Sequence, residues 1–143
     1  MAERVRVMIV DDSAETRQCI RMLLAMAEDI EVVAEAENGA EALKKLAVMA
    51  PDVVLMDINM PVLNGVEATE RICRQYPAVS VIVLSVQNDV EYVRCCMRAG
   101  ARHYLFKPVT ADTLVQTVRS VNGSERDPNQ RQPVTDLEQT RRC

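Results

Sequence analysis

Three carboxylates, a hydroxyl and an ammonium are the groups in this chain whose types and spacing could do chemistry together. Asp11 and Asp12 close an apolar run, Val5 to Val10 (VRVMIV). Asp57 closes a second run, Val53 to Met56, and opens a polar loop punctuated by Asn59, Pro61, Asn64 and Gly65. Ser85 ends a third run and Lys107, followed by Pro108, ends a fourth. If these runs are parallel strands of one open sheet, their carboxyl ends share the edge where such sheets bind ligands. Three carboxylates there repel one another, so at least one should hold its proton above the ordinary carboxyl range. A hard divalent cation relieves that conflict. Mg2+ prefers oxygen donors and is commonly held by one or two carboxylates plus a phosphate. A mobile cation, Lys107, and a hydroxyl, Ser85, beside an anionic nucleophile suit phosphoryl transfer, with Asp57 forming an acyl phosphate.

The elements that must position these groups alternate along the chain. Val53 to Met56 is rich in β-branched residues and too short for a helix, so it reads as a strand buried on both faces. Val5 to Val10, Val79 to Leu84 and Ala101 to Phe106 read as further strands. Glu31 to Ala36 alternates weakly, as an edge strand would. Between them lie helices. Ser13 caps the first, with Glu15 in its first turn and Ile20, Leu23, Leu24 and Ala27 inward. The second, Ala40 to Met49, turns Ala42, Leu43, Leu46 and Ala47 inward and stops at Pro51. The third, Val66 to Gln75, buries Ala68 and Ile72. The fourth, Asp89 to Ala99, packs through Val90, Val93 and Met97 and stops at Gly100. Thr110 caps the fifth, whose inward set is Leu114, Val118 and Val121. Five strands alternating with five helices predict an α/β fold with right-handed crossovers: a flavodoxin-like, doubly wound parallel sheet of strand order 2-1-3-4-5, covered on both faces.

Bulk properties bound the function. A chain of 143 residues with 48% hydrophobic and 27% charged content is long enough for one globular domain. A net charge of −4 disfavours a nucleic-acid surface. No apolar run reaches membrane-spanning length, and the charged opening MAERVR shows no signal peptide. Five cysteines with no CxxC spacing and a single histidine, His103, disfavour zinc. Reduced thiols in a cytoplasmic protein are the simplest expectation. Residues 1–121 form the expected domain. Residues 122–143, rich in Gln and polar residues with two prolines, read as a linker or tail.

The ordered set VDDS (Val10 to Ser13), LMDINMPVLNG (Leu55 to Gly65), VLS (Val83 to Ser85) and FKPV (Phe106 to Val109) resembles the response-regulator receiver domains of two-component signalling. The spacing carries the resemblance: 45 residues from Asp12 to Asp57, 28 to Ser85 and 22 more to Lys107. It implies that Asp57 accepts a phosphoryl group from a phosphohistidine on a sensor kinase or phosphotransfer protein. It further implies that Asp12 and Asp57 ligate Mg2+, that Asp11 acts largely through water, and that the Asn59 carbonyl completes the metal site. Ser85 and Lys107 would contact the phosphoryl oxygens. Tyr104 occupies the switch-aromatic position and would rotate inward as Ser85 moves, remodelling the face of the fourth helix, fifth strand and fifth helix, where a homodimer could form. The Lys107–Pro108 bond would be cis. The first helix and the loop after the fifth strand would dock the kinase, and the downstream effector is unnamed. Val86 departs from the smaller residue often found after the hydroxyl, and Gln87 and Asn59 would tune phosphoryl lifetime.

Bland readings stand beside these. Asp11 and Asp12 could merely cap a helix, Tyr104 could merely pack half-exposed, and Cys95 and Cys96 could be inert. Two rival functions are a phosphohydrolase with an aspartyl nucleophile and a phosphorylation-independent interaction module of the same fold. Asn59 stands where the hydrolase would place a second acid, and the intact acid–hydroxyl–lysine set argues against the module.

Overall fold

The computed structural model describes residues 4–58, 64–86 and 89–124, with side chains to residue 122. Strands β1 (Val5–Val10), β2 (Ile30–Ala36), β3 (Val53–Met56), β4 (Ser80–Ser85) and β5 (His103–Phe106) alternate with helices α1 (Ala14–Leu24), α2 (Gly39–Met49), α3 (Gly65–Gln75), α4 (Val90–Ala99) and α5 (Ala111–Ser124). All strand pairs are parallel, in the order β2-β1-β3-β4-β5, as predicted. The ends of β1 and β3 lie side by side, with Val10 opposite Met56, so Asp11 and Asp57 leave adjacent strands at one level. The last pair of β4 and β5 sets Ser85 opposite Phe106.

Alternation on the strands splits the core in two. Met8, Val10, Val54, Met56, Val81 and Val83 face α2, α3 and α4. Val7, Ile9, Val53, Leu55, Ile82 and Leu84 face α1 and α5. Every residue of β3 is at most 1% exposed, which is why its sequence is a continuous apolar run. β2, at the edge, keeps only Ile30 and Ala36 buried. A register shift between Val7 and Met8 lets it follow β1.

The helices begin where short polar side chains accept orphan amides: Ser13 from Thr16, Asn38 from Glu41, Asn64 from Glu67, Asp89 from Glu91 and Thr110 from Thr113. Gly100 ends α4 at φ 119°, where an added Cβ would also lie 2.7 Å from the Cys73 sulfur.

Three expectations are corrected. Val90 is 59% exposed at the first position of α4; the expected Met97 and Val93 do pack inward, and Cys96 joins them. Ala47 is exposed, since one stripe of α2 suffices to cover the edge of the sheet and Ala42 and Leu46 fill it. Cys95 is disulfide-bonded, against the expectation of five reduced thiols; half-buried on the outer side of α4, it is more reachable than buried Cys96. Cys19, Cys73 and Cys96 are free. Helix α5 continues through Ser124, past the expected domain limit at 121; the rest of the expected tail lies outside the described residues. Among the described residues no helix is long and apolar enough to cross a membrane.

Candidate functional site

The strand ends bring Asp11, Asp12, Asp57 and Lys107 into one pocket. One carboxylate oxygen from each aspartate lies within 4.8 Å of the others. The Lys107 ammonium stands 3.0 Å from Asp11 Oδ2 and 3.7 Å from Asp57 Oδ1, closing the pocket from the β5 side. The Lys107–Pro108 peptide is cis. Asp11 is buried, Asp57 partly buried and Asp12 exposed.

Asp11 is held at every polar group. Its N–H donates to the Ala36 carbonyl at 3.0 Å. Its Oδ1 accepts from the Ser13 N–H at 2.9 Å, its Oδ2 faces Lys107, and its carbonyl accepts from Arg17 at 2.6 Å. With both carboxylate oxygens engaged, Asp11 is a poorer direct ligand than its neighbours.

Asp57 is fixed through the backbone. Its N–H donates to the Val10 carbonyl at 3.0 Å, and the Gly65 N–H returns to the Ile58 carbonyl at 2.8 Å. The start of α3 passes so close that a Cβ on Gly65 would lie 2.2 Å from the Asp57 carbonyl oxygen. Glycine is therefore required here for close approach, a constraint that its place at the end of a polar loop only hints at.

The Asp57 carboxyl is pushed up to about 6. Burial is the largest cause. Lys107 opposes it, and the charges of Asp11 and Asp12 add to it. One of the three crowded acids thus holds its proton above the ordinary carboxyl range, as expected, with desolvation ahead of like-charge repulsion. A pocket of three oxygen donors in which one is reluctant to ionise fits a hard divalent cation, which would favour the carboxylate.

Ser85 is fully buried at the end of β4, and its backbone carbonyl accepts from the Lys107 N–H at 2.9 Å. The Tyr104 phenol is raised above its ordinary value chiefly by burial, with the Ser85 side chain pulling it the other way. The Tyr104 ring also packs on Phe106, centroids 5.3 Å apart. Val86 is 68% exposed at the mouth of the pocket. Asn59 and Gln87 lie outside the described residues. The sequence reading does not single out Arg17 or its partner Glu35; the only signal was the i, i+4 pair Arg17 and Arg21 on α1.

The response regulator receiver domain family matches residues 7–119, and the chain belongs to it. The transcriptional regulatory protein DegU of Brevibacillus brevis is 42% identical over 118 residues, covering 82% of this chain and 50% of that protein. The response regulator GacA of Pseudomonas viridiflava is 36% identical over 122 residues, covering 85% of this chain and 57% of that one. The chain thus spans about half the length of these curated relatives. Among solved structures, the response regulator domain of Thermotoga maritima CheB superposes with TM-score 0.79 at 32% identity, covering 85% of this chain and 98% of that one. The receiver domain of the putative response regulator NarL from Mycobacterium tuberculosis gives TM-score 0.80 at 30% identity, with the same coverage. Receiver domains of this kind are switch proteins rather than enzymes with a released product.

Proposed function

We propose that this domain is switched by phosphorylation of Asp57, with the phosphoryl group arriving from a phosphohistidine on a sensor kinase or phosphotransfer protein. The observation that carries the reading is the Lys107 ammonium set between two carboxylates, 3.0 Å from Asp11 and 3.7 Å from Asp57. Asp57 is the nucleophile: a carboxylate oxygen attacks phosphorus, and the phosphorus–nitrogen bond to the donor imidazole breaks. Lys107 can leave Asp57 for the transferred oxygens without losing Asp11. Ser85 offers its hydroxyl to the same oxygens, and Tyr104, on the neighbouring strand, would turn inward as Ser85 moves. Asp12 and Asp57 would hold Mg2+ with the Asn59 carbonyl, while Asp11 acts through water. The ion, when bound, neutralises charge on the transferring group.

The kinase would dock along a groove of about 480 Å³ beside the pocket, lined by Glu15, Cys19, Leu23, Lys107 and Pro108. The signal would leave by the face of α4, β5 and α5, where Val90 is 59% and Phe106 50% exposed. A homodimer through that face is one outlet. An effector beyond the tail is another, in keeping with relatives named as transcriptional regulators.

The test is intact-mass spectrometry of the chain after incubation with Mg2+ and acetyl phosphate. We expect the addition of one phosphoryl group, lost in Asp57→Asn and absent without the metal. Labelling that persists in Asp57→Asn would overturn the assignment.

A further inference from the structure

Arg17 has no place in the chemistry above, yet it is the best-connected cation near the pocket. From the second turn of α1 its Nε donates to Glu35 Oε1 at 2.9 Å, and its terminal nitrogen donates to the Asp11 carbonyl at 2.6 Å. Its side chain is only 13% exposed. Glu35, on the edge strand, is held from its other oxygen by Arg21 at 3.0 Å. We propose that Arg17 is a positioning residue for the acidic pocket: it ties the Asp11 carbonyl to Glu35 and so fixes the peptide that aims Asp12 at the cation.

The reasoning is geometric. The Asp11 carbonyl belongs to the peptide unit that joins Asp11 to Asp12. Asp12 is exposed, so the direction of its carboxylate is set by the backbone before it. Asp11 itself is 3% exposed, and removing the guanidinium would leave its carbonyl to find another donor in a buried place. The cheapest response is rotation of that peptide, which moves Asp12 away from Asp57. Glu35 keeps the guanidinium from following solvent, and a rigid planar fork reaches two acceptors from separate nitrogens, a geometry a single ammonium does not reproduce. Partners that orient metal ligands typically carry about 10- to 100-fold in metal affinity.

This inference rests on the cation-site reading given above. Its sign is distinctive. As a bare positive charge beside a cation site, Arg17 would repel Mg2+, and its removal would tighten binding. As a positioning residue, its removal weakens binding.

The experiment is calorimetric titration of Mg2+ into the full 143-residue chain, well below the unfolding temperature, with Mn2+ paramagnetic resonance as a second readout. Wild type should bind one ion and Asp12→Asn should abolish it. If wild type binds no ion, or Asp12→Asn still binds it, the cation-site reading fails and this inference with it. Given that binding, Arg17→Ala should raise the Kd by about tenfold or more. Glu35→Gln, which loosens the guanidinium, should raise it severalfold. Arg21→Ala loses a comparable ion pair to Glu35 but no contact to Asp11, and should change it less than about twofold. An unchanged or tighter Kd for Arg17→Ala, with wild-type binding intact, overturns the inference and leaves the cation site standing. Should Arg17→Ala fail to fold, Arg17→Lys decides. It keeps the charge but loses the planar fork with its two separate nitrogens, so a weaker Kd supports the positioning role and an unchanged Kd overturns it.

Discussion

Asp57 illustrates how much of a residue's chemistry is set by where its strand ends. Its carboxyl titrates near 6 against an unfolded value of 3.8 because the end of β3 is partly desolvated. The neutral form is therefore the one folding prefers. Stability from this group is fullest below 3.8 and is lost as pH rises through about 6, at a cost of about 3 kcal/mol once the shift is complete. We accordingly expect Asp57→Asn to raise the unfolding free energy in metal-free buffer near neutral pH by about 1–3 kcal/mol. The gain should fade as the buffer approaches the unfolded carboxyl value, and denaturant melts at both pH values check it. Thiol reactivity follows the same logic. Burial pushes Cys73 up to about 11 and Cys96 up to about 12, so thiolate is scarce at both. Exposed Cys19 should be alkylated by iodoacetamide well before either in the native protein, as peptide mass mapping would show.

Each element carries one constraint that governs the site. β3 delivers the acid and is buried on both faces, so Leu55→Ala should cost about 2–5 kcal/mol by leaving a cavity between the sheet and the α1–α5 layer. That loss should appear as a lower denaturation midpoint at unchanged m-value. α3 starts against the Asp57 carbonyl, and Gly65→Ala must push apart two backbone segments that an added Cβ would approach to 2.2 and 2.5 Å. Overpacking of this kind costs about 1–3 kcal/mol. Because the displaced backbone is that of Asp57 and Ile58, Mg2+ affinity should fall with stability. Loss of stability with unchanged affinity would show that the helix, not the acid, gives way. The strand and helix order was legible in the chain because apolar runs and helical stripes alternate. The close approach at Gly65 was not, since nothing in the surrounding PVLNG segment distinguishes a turn glycine from one pressed against another backbone.

For the whole molecule, the pocket belongs to no single segment: its groups come from β1, β3 and β5, up to 96 residues apart. Whatever binds there ties these strands together and stabilises the fold by mass action. Mg2+ with beryllofluoride, a phosphoryl mimic, should add about 2.7 kcal/mol at a hundredfold excess over its Kd and raise the thermal midpoint. Asp12→Asn should abolish that rise in a calorimetric scan. A similar rise in the variant would place the ligand elsewhere.

The chain by itself determined the order of its elements, the two-faced core and the identity of the acids, hydroxyl and lysine at the strand ends, because periodicity and polar punctuation are local properties. Packing alone decided which of these groups touch. Asp11 turns both carboxylate oxygens to protein partners, Lys107 settles between two acids, and Arg17 braces the loop from behind. Those pairings depend on strand register, on depth below the surface and on helices approaching from distant parts of the chain. Such long-range geometry leaves no mark in the spacing of residues.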